Sequence, residues 1–574
     1  MLLHLQSLIS LLAVLHLSYA QDAPQEKVWG VFMYTLHGDR TPLSSLGSGT
    51  LTPLGAYQLF GAGYAVRSLY VSPSTVNATD STRQISGISE YSLVNDEIEI
   101  LSTTEQFVSA SAQAFMQGLY PPLEELSDDR IYLDDYRIVN GTLMDYPLRG
   151  YQYSSIVTAG PEDPVSIQVA GHSYCPSHAE LQSQYLGSTD ARQVVAETAP
   201  FYADLYDRVL HGVFTNETVN YYNAHHISDY LDYQYIHNST ARRLISPEDL
   251  DRVHYLADRL VFAANSNETV LESKAENENI KGIAGKTLAY YIVQALDRNI
   301  RTRGARNKLS LGFGSVEPMV AFHSLLGLPS PRQPNFYSRP NHGASLIIEL
   351  FSWELNPLAS YPTSKRDLMV RFLLRNGTDP WDLSTDIIPY PMFGLGPNHT
   401  AMPYREFLDR LIDMMMGPYA WCRACSSTSI FCSAYTSGAD SHNRTLNARR
   451  GMRPIVAGVI GFIVGFIALL LILVLISCCG FRSIVNCVCS GFRRKRKDPG
   501  SAYSNSQVGW PASPSAQSST VCNDQAESME LSTRVKSHSS YDSPVAYLAN
   551  PTRENDADSL IHFRIQPVKP HEVV

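Results

Sequence analysis

The chain carries its apolar residues in blocks of different kinds. Val28 to Thr35, VWGVFMYT, is a short, continuous, β-rich run, the pattern of a buried strand. Pro247 to Ala264 reads as a helix within a longer stretch, residues 125–280, that is rich in Tyr and Asp. Leu8 to Leu17 is mostly apolar and leads into Ser18-Tyr19-Ala20, and Ile455 to Ser477 runs without a charge. From Asp498 to Val574 no sustained period remains, and Ser, Pro, Asn and Asp take over. Such a tail buries too little apolar surface to offset its ordering entropy, so disorder is expected there.

The two terminal apolar blocks imply a topology. The first, with small residues at the positions a signal peptidase inspects, reads as a secretory signal over residues 1–20, leaving Gln21 as the mature start. The second is long enough to cross a hydrocarbon core of about 30 Å at about 1.5 Å per residue. It also lacks the polar face of a buried core helix. Arg482 and Arg493-Arg494-Lys495-Arg496-Lys497 follow it and outnumber Arg449, Arg450 and Arg453 before it, which puts the C-terminal side in the cytosol. The Asn-x-Ser/Thr acceptors Asn77, Asn140, Asn216, Asn238, Asn267, Asn376, Asn398 and Asn443 all precede the span, while Asn550, followed by proline, does not qualify. Cys175, Cys422, Cys425 and Cys432 lie on the same side, compatible with two disulfides in an oxidising compartment, their pairing open. Cys478, Cys479, Cys487 and Cys489 sit at the cytosolic edge, where palmitoylation and plain thiols are both compatible. The expected molecule is a single-pass type I protein of the plasma membrane or a secretory-pathway membrane, its N-terminus extracellular or lumenal.

Composition changes this picture by exclusion. An apolar fraction of 44% and a charged fraction of 17% allow a sizeable core. The formal net charge of −10 disfavours a nucleic-acid partner, since such a surface repels phosphate backbones. His225-His226 is accompanied by no HExxH or matching CxxC spacing, so no metal is assigned, and no cofactor.

The chemistry lies directly after the first strand, in Leu36-His37-Gly38-Asp39-Arg40-Thr41-Pro42. Ligand sites of α/β sheets lie at the carboxyl ends of strands, where glycine admits close approach to the backbone and Arg matches the oxygens of phosphate. The heptad resembles the RHGxRxP signature of the histidine acid phosphatases, the branch that includes phytases. Leu51-Thr52-Pro53-Leu54-Gly55 with Gln58, Gly63, Arg67 and Tyr70 is similar to a helix of that family, as are Ser109 to Pro122, Ile283 to Leu288, Ala344 to Phe351 and Asp367 to Asp379 to later segments. The resemblance spans about residues 28–435, in order. It implies an α/β three-layer sandwich core over about 28–124 and 281–435, with an inserted α-helical cap over about 125–280. Within the expected domain of residues 21–453, this precedes one transmembrane helix over 454–479 and a cytosolic segment over 480–574.

Carried over residue by residue, the resemblance makes His37 the phosphorus-attacking nucleophile and Arg40 a substrate-binding arginine. The family's first signature arginine corresponds to Leu36 and its middle arginine to Phe107. Its second motif, a His followed by an acid, falls at Gly314-Ser315-Val316-Glu317. Without gaps, Ser315 and Val316 replace the pair; with a one-residue shift, Val316 replaces the His and Glu317 keeps a carboxylate. Glu317 is thus the conditional proton donor. His323, His342, Arg339 and Lys286 are other possible anion partners, for which surface or satisfied interior roles compete.

Phosphoryl transfer rests on positioning and on stabilising spread charge. A hydrogen bond to a charged group contributes roughly 1.5–3 kcal/mol, so losing two arginines and a histidine removes about 4–9 kcal/mol, on the order of 10³- to 10⁶-fold in rate. The expected function is therefore a cell-surface glycoprotein with a histidine-acid-phosphatase-like ectodomain of lost or strongly reduced activity. It would bind or sense a phosphate-bearing or other small ligand. The alternatives are an active acid phosphatase or phytase-like hydrolase using His37 and Glu317, and a passive structural glycoprotein.

Overall fold

The apolar run around Val28 becomes β1, Gln25–Leu36, nearly all of it buried. Its side chains alternate across the sheet: Phe32, Tyr34 and Leu36 enter one apolar cluster and Val31 and Met33 another. A strand fed from both faces needs a cover on each side, and helices supply both. The computed structural model describes residues 24–43, 49–72, 83–123, 138–142, 146–266, 280–356, 359–378 and 387–436. The expected signal peptide, membrane span, juxtamembrane charges and tail lie outside these residues. Among the described residues no helix is long and apolar enough to cross a membrane.

In chain order the principal elements are β1, α1 (Pro53–Val66), β2 (Ile98–Thr103), α2 (Gln106–Leu119), β3 (Ile156–Ala159), α3 (Pro176–Leu186), α4 (Thr189–Leu205), α5 (Ala224–His237), α6 (Pro247–Asn265), α7 (Ile283–Arg301), β4 (Leu309–Gly314), α8 (Val316–Leu325), β5 (Ser345–Glu354), β6 (Met369–Arg375), β7 (Ile388–Tyr390), β8 (Ala401–Pro403) and α9 (Tyr404–Met414). The strands form one mixed sheet in the order β3-β2-β4-β1-β5-β6-β7, with β8 also on β6. β1 to β4 run parallel, and β5 turns antiparallel against β1.

α1 and α2 cover the face of Val31 and Met33, while α7, α8 and α9 cover the other. The glycines at Gly63 and Gly118 let α1 and α2 touch backbone to backbone. A Cβ on Gly63 would stand 1.9 Å from the Phe115 carbonyl oxygen, and one on Gly118 2.0 Å from that of Phe60. No side chain fits there.

The stretch 125–280 is not helical throughout. β3 pairs with β2 as an edge strand, and Val169 joins the core under β1, so the sheet takes more of this stretch than its composition indicates. Four residues, Ile-Val-Thr-Ala with two side chains exposed, are too short to register as an apolar run. Helices α3–α6 follow, and α4–α6 gather a separate apolar cluster that includes Val194, Leu205, Ile227, Leu231 and Leu256. α6 begins with a capping box between Ser246 and Asp249. The disulfides are Cys175–Cys425 and Cys422–Cys432; the first joins the start of α3 to the helix Pro418–Cys425.

Candidate active site

Strand direction assembles the site. Leu36 lies opposite Gly314, and Phe313 opposite Ser102, so β1, β4 and β2 all end at one edge of the sheet. β5 starts at the same edge, Ser345 opposite Thr35. Four connections far apart in sequence therefore meet: His37–Arg40 after β1, Phe107 at the start of α2, Ser315–Glu317 after β4 and His342 before β5.

The backbone of His37 is held on both sides, its N–H by the Gly314 carbonyl at 3.3 Å and its carbonyl by the Gly343 N–H at 3.1 Å. Gly38 packs against α1, where a Cβ would lie 2.5 Å from the Gly55 carbonyl oxygen. The ring Nδ1 of His37 is 2.9 Å from the Gly38 carbonyl oxygen. A carbonyl only accepts, so Nδ1 carries the proton and Nε2 keeps the lone pair. Burial, with the charges of His342 and Arg40, holds this imidazole well below its ordinary pKa. It is a neutral base at neutral pH.

Around it the chemistry divides. Phe107 meets the His37 ring edge-on at 4.7 Å, and the Arg40 guanidinium lies 4.9 Å from the same phenyl centre. Leu36 is buried among the apolar residues beneath. Two of the three positions where the resemblance places arginines are thus occupied by apolar side chains, Leu36 and Phe107. Arg40 Nη1 donates to the Thr41 carbonyl at 3.1 Å and to Asp229 Oδ2 at 3.0 Å, an ion pair whose side chains are 5% and 13% exposed. Asp39 accepts from Thr52 Oγ1, while its N–H donates to Gln58 Oε1 at 2.9 Å. Its carboxylate also stands 2.7 Å from His237 Nε2. Asp229 and His237 both come from α5.

Glu317 occupies the first turn of α8, its Oε2 3.6 Å from His172 Nε2. Burial opposes its ionisation, but the His172 and His225 imidazoles, with hydrogen bonds from Ser315 and its own backbone, bring its pKa down to about 2. His342 does reach the site, its ring 5.2 Å from that of His37. Arg339 donates to Asp258 at 2.6 Å and to Ser228 at 3.0 Å, with His225 Nδ1 at 3.0 Å. His323 faces the core between Phe336 and Phe372, and burial alone takes its pKa down to about 3. Lys286 is buried in α7, which lowers its pKa to about 8. Among the described residues no group of three His, Cys, Asp or Glu side chains could hold a metal ion.

Asp229 and His237 went unread in the sequence. They stand 189 and 198 positions from their partners, on a helix whose polar residues follow no motif. Gln58 and Gly55 were legible as part of the family pattern, and their work is to position Asp39 and Gly38.

The order of these segments along the chain and the mixed sheet that carries them place the fold in a known family. Residues 15–375 match the family model described as Histidine phosphatase superfamily (branch 2), and the chain belongs to that family. Among solved structures, the phytase of Citrobacter braakii is 13% identical, with 70% of this chain and 99% of that one covered and a TM-score of 0.43. The Klebsiella sp. ASR1 phytase is 14% identical, covering 69% and 97%, with a TM-score of 0.43. The Bifidobacterium longum multiple inositol polyphosphate phosphatase with inositol hexasulfate is 14% identical, covering 70% and 95%, with a TM-score of 0.36. No curated protein matches the chain.

Proposed function

We propose that this chain is a membrane-anchored, cell-surface glycoprotein whose histidine-acid-phosphatase-like domain binds or senses a small anionic ligand and hydrolyses phosphomonoesters weakly or not at all. The observation that carries this reading is the state of Arg40. The one signature arginine that remains is paired with Asp229 at 3.0 Å and backed by the Phe107 ring. An anion entering the site must compete with a carboxylate already in place, and the apolar wall adds a desolvation cost for a dianion. Glu317 adds support. A proton donor to the leaving oxygen must hold a proton, and the His172 imidazole and the Ser315 hydrogen bond hold the Glu317 carboxyl below its ordinary pKa, on the side of the ionised form.

The alternative is an active phosphomonoester hydrolase, and the His37 tautomer favours it. In that reaction Nε2 forms a bond to phosphorus as the ester P–O bond breaks. The leaving oxygen then takes its proton from Glu317, and water cleaves the phosphohistidine. A neutral imidazole with Nδ1 tied to Gly38 is in the right form for the attack.

Full-length protein in detergent, assayed with p-nitrophenyl phosphate from pH 3 to 7 beside a His37→Ala variant, decides between the two. We expect turnover at least 10³-fold below that of an ordinary acid phosphatase, in line with the missing charged contacts. Robust turnover that disappears in the variant would establish the hydrolase.

A further inference from the structure

Helix α5 makes two polar contacts with the signature loop. Asp229 meets Arg40 and His237 meets Asp39, and the two side chains stand two helical turns apart on one face of α5. The pattern is complementary: acid on the helix against cation on the loop, imidazole on the helix against acid on the loop. Asp229 is fixed further by the Leu43 N–H, 3.3 Å from the same Oδ2. That oxygen thus accepts from a guanidinium and a backbone amide, the pair of donors a phosphate oxygen would use at such a place. The Nε of Arg40 is buried and has no hydrogen-bond partner. The guanidinium is therefore committed to one carboxylate yet not saturated.

We propose that Asp229 is the specificity-determining residue of this site: an internal carboxylate that occupies the anion position on Arg40 and lowers the affinity of the pocket for phosphate and phosphomonoesters. This rests on reading the pocket as an anion-binding site. A ligand must displace Asp229 from Arg40, so a dianion faces both competition for the guanidinium and repulsion from the displaced carboxylate. Removing the charge while keeping the shape leaves Arg40 open, and the His237–Asp39 contact still holds α5 over the loop.

The test uses full-length protein in detergent and inorganic phosphate as the probe, with binding read by isothermal titration calorimetry at fixed pH and ionic strength. Asp229→Asn is expected to bind phosphate about ten- to hundredfold more tightly than the parent, the fold-change of one charge-assisted hydrogen bond regained. Adding Arg40→Gln to it should abolish the gain. Asp204→Asn makes the same charge change at an exposed pair with Arg208 and should leave phosphate binding unchanged. If Asp229→Asn unfolds, as read by its melting curve, Asp229→Ser is used instead.

Unchanged affinity in a folded Asp229 variant overturns the proposal. So does an equal gain in the Arg40→Gln background or in Asp204→Asn, since the effect would then be one of overall charge. This readout is independent of turnover. A parent protein that proved to be an efficient hydrolase would refute the weak-activity reading while leaving the Asp229 comparison intact.

Discussion

The loops that follow β1 and β4 lie side by side on parallel strands, yet they have kept different things. After β1 the chain holds a buried imidazole fixed by the Gly38 carbonyl, with an acid and an arginine tied to α1 and α5, all within four residues. After β4 the same edge carries Ser315, Val316 and a carboxylate that pairs with His172. The scaffold under the two is equally tight. Gly55 on α1 faces the Asp39 carbonyl, and Gly285 on α7 faces the Ala321 backbone of α8. Backbone packing is thus retained on both sides, while the signature histidine and arginine stand on the β1 side. The histidine that the β4 side does possess, His323, lies further along α8 and serves the core.

The widest effect expected concerns the shared scaffold. Gly55→Val would put a Cβ 2.1 Å from the Asp39 carbonyl oxygen, and Gly285→Val one 2.6 Å from the Ala321 carbonyl carbon. Each should cost about 4 kcal/mol or prevent folding, measured by urea denaturation. A large loss on one side and none on the other would break the claim that the two scaffolds are equivalent.

Next in size is the attempt to restore the groups that the resemblance places after β2 and after β4. Phe107→Arg combined with Ser315→His should raise kcat/KM for p-nitrophenyl phosphate on the order of 10²-fold, about 3 kcal/mol of transition-state stabilisation. No gain in a folded double variant would mean that the missing groups are not what limits turnover.

The smallest effect sharpens the contrast between a catalytic and a core histidine. His323 has neither ring nitrogen hydrogen-bonded and a pKa of about 3 in the fold. Unfolded, an imidazole titrates near 6.5. Between these values the unfolded chain binds the extra proton, so this residue favours folding less as pH falls from about 6.5 towards 3. Taking pH from 7 to 5 should therefore cost the parent about 2 kcal/mol more than His323→Leu, read from urea midpoints of the two proteins. Equal losses would show that His323 is solvated or partnered.

Much of the scaffold was readable from residues alone. The apolar run at Val28 announced β1, Ser345–Glu354 and Met369–Arg375 formed the antiparallel pair implied by the resemblance, and Pro247 opened a helix close to the expected bounds. These features depend on local propensity and on periodic burial, which neighbouring residues encode. β3 escaped because an edge strand of four residues needs little apolar pattern; its parallel partner β2 supplies the rest.

The site divides along the same line. His37, Arg40 and the replacements at Leu36 and Phe107 could be named from sequence, because a signature loop is contiguous and its departures show letter by letter. Whether Arg40 was available to an anion could not be, and neither could the ionised state of Glu317. Those depend on which charges come within a few ångströms once β1, β2 and β4 end, and β5 begins, at one edge and α5 reaches the loop after β1. Coulombic energy falls with distance in space rather than along the chain. Asp229, 189 residues from Arg40, therefore acquires its role only in the folded molecule.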